Sequence, residues 1–297
     1  MSDNKLKAIC FGEILFDVFL QHKKIGGAPL NVTSRLKSFG VDTTIISAVG
    51  NDENGKELIE YFENLEIPIN SIQVKENYPT GVVNVRLNEK GNASYDITYP
   101  SAWDKIRLTI EDSELVKNAD IFVFGSLASR DESTKKTLLQ LLKMANYKIF
   151  DVNLRKPHYS QDTLVEFMNE ADFIKLNDEE LYEVSRFMGS KFNSLEQNIE
   201  FISKVTNTNS ICVTLGSHGA VLFIEGKYYH NCGYYVEVVD TVGSGDSFLG
   251  TLIYKLFSKV DPQEAINCAC AVGAIVAKNE GANPLIDQNS IDAFINP

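Results

Sequence analysis

Residues 243–246, Gly243-Ser244-Gly245-Asp246, place two glycines, a residue nearly as small and a carboxylate directly before an apolar segment with the pattern of a helix. Glycine permits left-handed or crowded backbone. The first N–H groups of a helix point outward at its positive dipole end, so such a junction binds an anion without any lysine. Asp246 carries the wrong sign for holding that anion. Taken alone, the pattern also reads as an ordinary glycine turn with Asp246 as a helix cap. A second glycine segment, residues 50–57 (GNDENGKE), approaches the P-loop pattern but sets Glu57 where a hydroxyl must meet Mg²⁺. Asp52 or Asn51 capping a helix accounts for it better. The Gly243-x-Gly245 pair also fits the start of a dinucleotide fingerprint, yet Phe248 stands where a third small residue is needed.

The elements that must position these residues are legible as an alternation. Short apolar runs at 7–12, 43–50, 120–125, 147–153, 172–177 and 210–216 are separated by amphipathic segments such as 55–65 and 132–145. Continuous apolar strands between helices predict an α/β fold with a mostly parallel sheet covered on both faces. Ligands then bind beyond the carboxyl ends of the strands, which carry Gly12–Glu13, Gly125–Ser126, Asp151–Asn153, Asn177 and Gly216. Residues 81–100 break the rhythm: Val83, Val85 and Leu87 alternate with Asn84, Arg86 and Asn88, turn at Lys90–Gly91, and return through Ala93, Tyr95, Ile97 and Tyr99. This is a two-faced hairpin, and its pattern suits a structural edge, a dimer surface or a lid equally.

Composition narrows the class. The 297 residues contain 44% hydrophobic and 23% charged side chains and carry a net charge of -12, as expected of a folded soluble protein. The acidic balance argues against nucleic acid as a partner, and any anionic ligand must be held locally. The N-terminal segment meets Glu13 too early for a signal-peptide core, and the longest apolar run, 268–277, is too short for a bilayer. A cytoplasmic protein without a membrane partner is expected. Cys10, Cys212, Cys232, Cys268 and Cys270 are scattered and read as buried reduced thiols. His22, His158, His218 and His230 show no metal-ligand spacing.

At Asp240-Thr241-Val242-Gly243-Ser244-Gly245-Asp246 the chain resembles the ribokinase-like, PfkB-type carbohydrate kinases, whose late signature reads D-T-x-G-A-G-D. Ser244 replaces the usual alanine. The family's earlier signature, a glycine pair followed by an asparagine, matches Gly26, Gly27 and Asn31 within residues 26–40. The resemblance covers essentially the whole chain. It implies a three-layer α/β/α sandwich, one domain spanning 1–297, with β-lid insertions at about 14–25 and 72–104. It implies Asp246 as general base, with Gly243, Ser244 and Gly245 as the anion hole. Asp17, Gly26, Gly27, Asn31 and Asp246 would meet the sugar. Asn177, Thr214, Gly216, Gly219, Gly243 and Gly245 would approach ATP, and Glu180 would organise Mg²⁺ through water. The family also often carries a K⁺ site of backbone carbonyls, here Asp240, Val242 and Gly281. Two chains pairing through the lid would make a homodimer.

From the residues alone, Asn177 to Glu180 also read as a capped helix start, and 214–220 as a glycine-rich hairpin turn. Residues 150–160 (FDVNLRKPHYS) resemble the D-x-N-x-R element of fructokinases and 2-keto-3-deoxygluconate kinases. Arg155 there would grip a substrate carboxylate bidentately or form a structural pair with Asp151. The resemblance points to phosphorylation of fructose, with a keto acid, ribose or a nucleoside as alternative acceptors. From other classes, a non-catalytic sugar or nucleotide sensor and a nicotinamide dehydrogenase remain open, the latter resting only on Gly243-x-Gly245.

Overall fold

The structure, a computed structural model, describes residues 5–87 and 93–296. The turn expected at Lys90–Gly91 lies outside them. In chain order the strands are β1 (Lys7–Phe11), β2 (Leu15–Val18), β3 (Lys23–Gly26), β4 (Asp42–Gly50), β5 (Ile72–Lys75), β6 (Gly81–Leu87), β7 (Ala93–Ile97), β8 (Ile121–Gly125), β9 (Lys148–Asp151), β10 (Phe173–Asn177), β11 (Ser210–Thr214), β12 (Ala220–Ile224) and β13 (Lys227–Asn231). The helices are α1 (Ala28–Ser38), α2 (Glu53–Asn64), α3 (Ile110–Lys117), α4 (Glu132–Leu142), α5 (Gln161–Glu170), α6 (Asp178–Phe187), α7 (Leu195–Thr206), α8 (Ser244–Phe257), α9 (Pro262–Ala277) and α10 (Gln288–Ile295).

The larger sheet runs β13-β12-β11-β10-β9-β8-β1-β4-β5. From β5 to β11 every neighbouring pair is parallel, and β12 and β13 close that edge antiparallel. Strand residues alternate between two cores, because successive side chains point to opposite faces. Ile9 and Phe11 of β1 pack with Leu138, Phe167, Leu181 and Ile202 of the α4–α7 layer. Ala8 and Cys10 face Leu30, Phe62, Leu252 and Ala269 of α1, α2, α8 and α9. The sheet is therefore covered on both faces, as the unbroken apolar runs required. Local signals set the helix starts: Asp52 caps α2 by accepting from Gly55 N, and Pro262 opens α9 behind Asp261.

A second sheet, ordered β3-β2-β6-β7, is built from two separate stretches of chain. Its central pair, β2 and β6, is parallel, so the lid cannot be a single hairpin. Of the span 72–104, only β6 and β7 join this sheet; β5 pairs with β4 in the larger one. Trp103 and Asp104 are fully buried beneath the lid, where Arg130 stacks 4.0 Å over the indole and pairs with Asp104 at 2.8 Å. Gly81 leaves room for that indole, since a Cβ there would overlap it. No helix among the described residues is long and apolar enough to cross a membrane.

Candidate active site

A cleft of about 1040 Å³ opens between the small sheet and the carboxyl ends of the larger sheet's strands. The lid contributes Leu15, Asp17, Val83, Val85 and Ile97; the strand ends contribute Glu13, Asn153, Lys175, Asn177 and Thr214. Asn31 of α1, Arg155 and the segment from Val239 to Asp246 complete it.

The glycine loop is the start of α8. Gly243 is its N-cap with φ 75°, and a Cβ there would overlap the Cβ of Ala282, so glycine is required twice over. Ser244 turns its side chain away, donating to Gly273 O at 2.9 Å on α9, and its N–H reaches back to Thr241 O at 3.3 Å. The N–H groups of Gly243, Gly245 and Asp246 have no acceptor among the described residues. Of the three residues expected to form an anion hole, Gly243 and Gly245 thus keep free N–H groups and Ser244 does not, while Asp246 N–H adds a third. Gly245 lines the cleft, and a Cβ there would meet only Lys175 Nζ, at 3.6 Å.

Asp246 is the third residue of α8, not its cap. Asn31, only 2% exposed, donates from Nδ2 to Asp246 Oδ2 at 2.8 Å. Because a carboxylate can only accept, this fixes the amide, and Asn31 Oδ1 then accepts from Asn283 Nδ2 at 2.9 Å. Burial and the nearby Asp151 raise the Asp246 pKa to about 6, against the lowering pull of Asn31, Lys175 and Arg155. Burial likewise raises Glu13 to about 7 and Asp17 to about 6. Glu13 is buried and its Oε2 lacks a hydrogen-bond partner.

These three carboxyls have a consequence for stability. A raised folded pKa contributes stability that is present below the unfolded value near 4 and lost as pH rises through 6 to 7. His158, shifted down by burial, works weakly in the opposite direction. The ligand-free protein is expected to gain on the order of 2–4 kcal/mol between pH 8 and 5.5, read as a higher Tm by calorimetry at the lower pH. A Tm that falls over that range would contradict the burial of these groups.

Asn177 and Glu180 form a reciprocal capping box on α6. Glu180 accepts from Asn177 N at 2.9 Å and Leu154 N at 2.7 Å, so both carboxylate oxygens are engaged by backbone and the side chain sits behind the cleft wall. Asn177 and Thr214 line the cleft, whereas Gly216 and Gly219 belong to the turn joining β11 and β12. A Cβ on Gly219 would overlap Asn231 O, so the hairpin itself demands that glycine. Gly26 admits the Asp17 carboxylate, which a Cβ would strike, and Gly27, φ 113°, passes against Glu13 O.

The structural pair considered for Arg155 does not form: Asp151 Oδ1 accepts instead from Lys175 Nζ at 2.9 Å, and Arg155 is exposed at the cleft with a bond to Leu154 O. Asp240 accepts from Lys24 Nζ, Val242 N and Gly281 N at 2.8, 3.0 and 3.3 Å. Its carboxylate is thus already neutralised by the lid lysine, and a K⁺ there would rely on the carbonyls of residues 240, 242 and 281. Not every thiol is buried, because Cys232 is exposed. Lys175 and Lys24, which line the cleft, and Asn283, which bonds to Asn31, have no counterpart among the residues singled out from the sequence. A lysine within an otherwise apolar strand, as in residues 172–177, was the one available signal.

Among the described residues no group of three His, Cys, Asp or Glu side chains is placed to hold a metal.

The pfkB family carbohydrate kinase model matches residues 4–289. The probable fructokinase-7 of Arabidopsis thaliana is 28% identical over 323 residues, covering 98% of this chain and 92% of that protein. A Vibrio cholerae fructokinase double mutant, in a fructose, ADP and potassium ion bound form, superposes with a TM-score of 0.85 at 23% identity, covering all of both chains. The 2-dehydro-3-deoxygluconokinase of Thermotoga maritima superposes equally well, with a TM-score of 0.85 at 20% identity over 98% of this chain and 100% of that one. The structural neighbours share the ribokinase-like sandwich and its small antiparallel-edged lid sheet, and the family match extends over nearly every element that builds the cleft. The chain belongs to the pfkB family of carbohydrate kinases.

Proposed function

We propose that this kinase transfers the γ-phosphoryl group of ATP to a hydroxyl of D-fructose, giving fructose 6-phosphate, with Asp246 as general base. The observation that carries the reading is the adjacency of three uncommitted N–H donors, at residues 243, 245 and 246, and the Asp246 carboxylate held by Asn31. Phosphoryl transfer passes through a loose transition state and needs positioning and charge stabilisation more than covalent chemistry. Asp246 accepts the proton of the attacking hydroxyl, and the three N–H groups receive charge developing on the transferred group. Asp17, Gly26, Gly27 and Asn31 surround the sugar; Asn177 and Thr214 face the nucleotide. Bound Mg²⁺ would supply charge neutralisation at the phosphates. The lid's apolar Val83, Val85 and Ile97 would exclude water from the reacting group.

An Asp246 pKa of about 6 places the acid limb of the reaction just below neutrality, because only the ionised carboxylate accepts a proton. The single α/β domain with lid strands around residues 14–25 and 81–97, pairing of two copies at the lid edges, a cytoplasmic location and K⁺ at the carbonyls of Asp240, Val242 and Gly281 belong to the same proposal.

The exposed Arg155 guanidinium at the cleft, free of the Asp151 pair, favours a 2-keto-3-deoxy sugar acid as the second reading. A coupled assay of ADP release across fructose, 2-keto-3-deoxygluconate, ribose and a nucleoside, with and without K⁺, separates these. Fructose is expected to have the highest kcat/KM, and Arg155→Met to change it by less than about tenfold. For a carboxylate substrate, loss of a charge-assisted bidentate contact would cost about tenfold to a hundredfold. The highest kcat/KM on the keto acid, with that sensitivity, would overturn the fructose assignment.

A further inference from the structure

Beneath the glycine loop lies a charge pair that the proposed mechanism does not use. Lys175 projects from β10 at 6% exposure and Asp151 ends β9 at 3%; their pair, Nζ to Oδ1 at 2.9 Å, spans the two strand ends. Asp151 Oδ2 is buried without a partner, so the carboxylate is held by the lysine alone. Lys175 lines the cleft with Asp246, and its Nζ lies 3.6 Å from where a Cβ on Gly245, the residue preceding Asp246, would stand. A buried ion pair is weak evidence for stability, since similarly sized apolar side chains often replace one without loss. Its presence on the cleft floor therefore asks for another role.

We propose that Lys175, anchored by Asp151, is a positioning residue whose fixed ammonium sets the charge state of Asp246 and keeps it available as a proton acceptor near neutral pH. The proposal rests on the reading of Asp246 as the base. The charged groups around Asp246 are Asp151 from β9, Arg155 from the loop after β9, Lys175 from β10, Glu13 just past the end of β1 and Asp17 from the lid. Four of the five groups could carry negative charge or bind protons in competition with Asp246, or lie at the exposed mouth. Lys175 is the buried cation. Burial opposes its charge, but Asp151, Glu180 and Asp246 outweigh burial and raise its pKa above the ordinary lysine value. It therefore stays an ammonium through the whole range in which Asp246 titrates. Asp151 works against it electrostatically while holding it in place, so the pair tunes the base instead of merely acidifying it.

The test compares pH profiles of kcat/KM for the preferred sugar in wild type, Asp151→Asn, and the double variant Asp151→Asn/Lys175→Met. The first substitution keeps an acceptor for Lys175 and removes the negative charge, so the acid limb should move to lower pH. Removing the lysine in that background leaves a neutral floor, and the limb should return upward by about one pH unit. Below the limb this is about a tenfold loss of kcat/KM, with the plateau at high pH changed much less. A uniform loss at every pH with an unmoved limb would overturn the proposal and leave Lys175 a structural or phosphoryl-contacting group. Should that double variant fail to fold, Asp151→Asn/Lys175→Gln takes its place: the same upward return of the acid limb relative to Asp151→Asn is expected, and an unmoved limb overturns the proposal. Asp246→Asn is run alongside. Full turnover in that variant would remove the base reading itself, whereas lost turnover with unmoved limbs in the other variants sinks only the role of Lys175.

Discussion

Asp246→Asn should lower kcat by about 10²–10⁴-fold, the usual contribution of a positioned general base. The substitution is close to isosteric. Asn31 Nδ2, which donates to Asp246 Oδ2 at 2.8 Å, would find the new amide oxygen in the same place. The loop, the three N–H donors and the lid are untouched, so KM for sugar and ATP should shift far less than kcat. Stability should not fall either. The native carboxylate is penalised by burial and by Asp151, and a neutral amide escapes both, so Tm at pH 8 should hold or rise. A variant that is folded, binds both substrates and turns over at the wild-type rate would show that the proton leaves by another route.

The second large effect separates two glycines that look equivalent in the sequence. Gly243→Ala puts a side chain at φ 75° and drives its Cβ into Ala282. Left-handed backbone alone costs about 1–3 kcal/mol for a non-glycine residue, and the overlap adds to it, so Tm should drop by several degrees and activity should fall with the displaced loop. Gly245→Ala is different. Gly245 is helical, its Cβ would meet only Lys175 Nζ at 3.6 Å, and alanine favours helix over glycine by about 1 kcal/mol. Its Tm should be unchanged or higher. Yet the methyl would project into the cleft beside a donor for the transferred group, and kcat/KM should approach the roughly 10²-fold loss that follows removal of an anion-hole donor. Matched thermal melts and initial rates for the two variants read this directly. A fully active Gly245→Ala enzyme would contradict the placement of the phosphoryl group at that N–H.

The layers of the fold were legible because their signals are local. Unbroken apolar runs such as residues 120–125 became β8 between two cores, and Asp52 capped α2 as its spacing suggested. The edge strands were harder. β5 is only four residues long, and the lid span implied by the resemblance, 72–104, includes it although it pairs with β4 in the larger sheet. The chemistry-bearing glycines and Asp246 could be found since they lie within one stretch of chain. Of the side chains that condition them, Asn31 falls within a signature, and its bond to Asp246 could not be read there. Asn283, Asn31 and Asp246 meet across separations of 252 and 215 residues, and Lys175 meets Asp151 across 24. Nothing in spacing or composition announces such pairs. The Arg155–Asp151 pair, the structural alternative for Arg155, shows the same limit: proximity in sequence allowed it, while the parallel pairing of β9 with β10 gave Asp151 to Lys175.

The most direct measurement of the central claim is identification of the product by ³¹P–¹H correlation after incubation with ATP, Mg²⁺ and D-fructose, alongside ADP quantification. The account predicts fructose 6-phosphate in equimolar yield with ADP, and none of either from Asp246→Asn on the same time scale. Thermal stabilisation by fructose and ATP with no phosphorylated sugar, or ADP formed equally without any sugar, would contradict it.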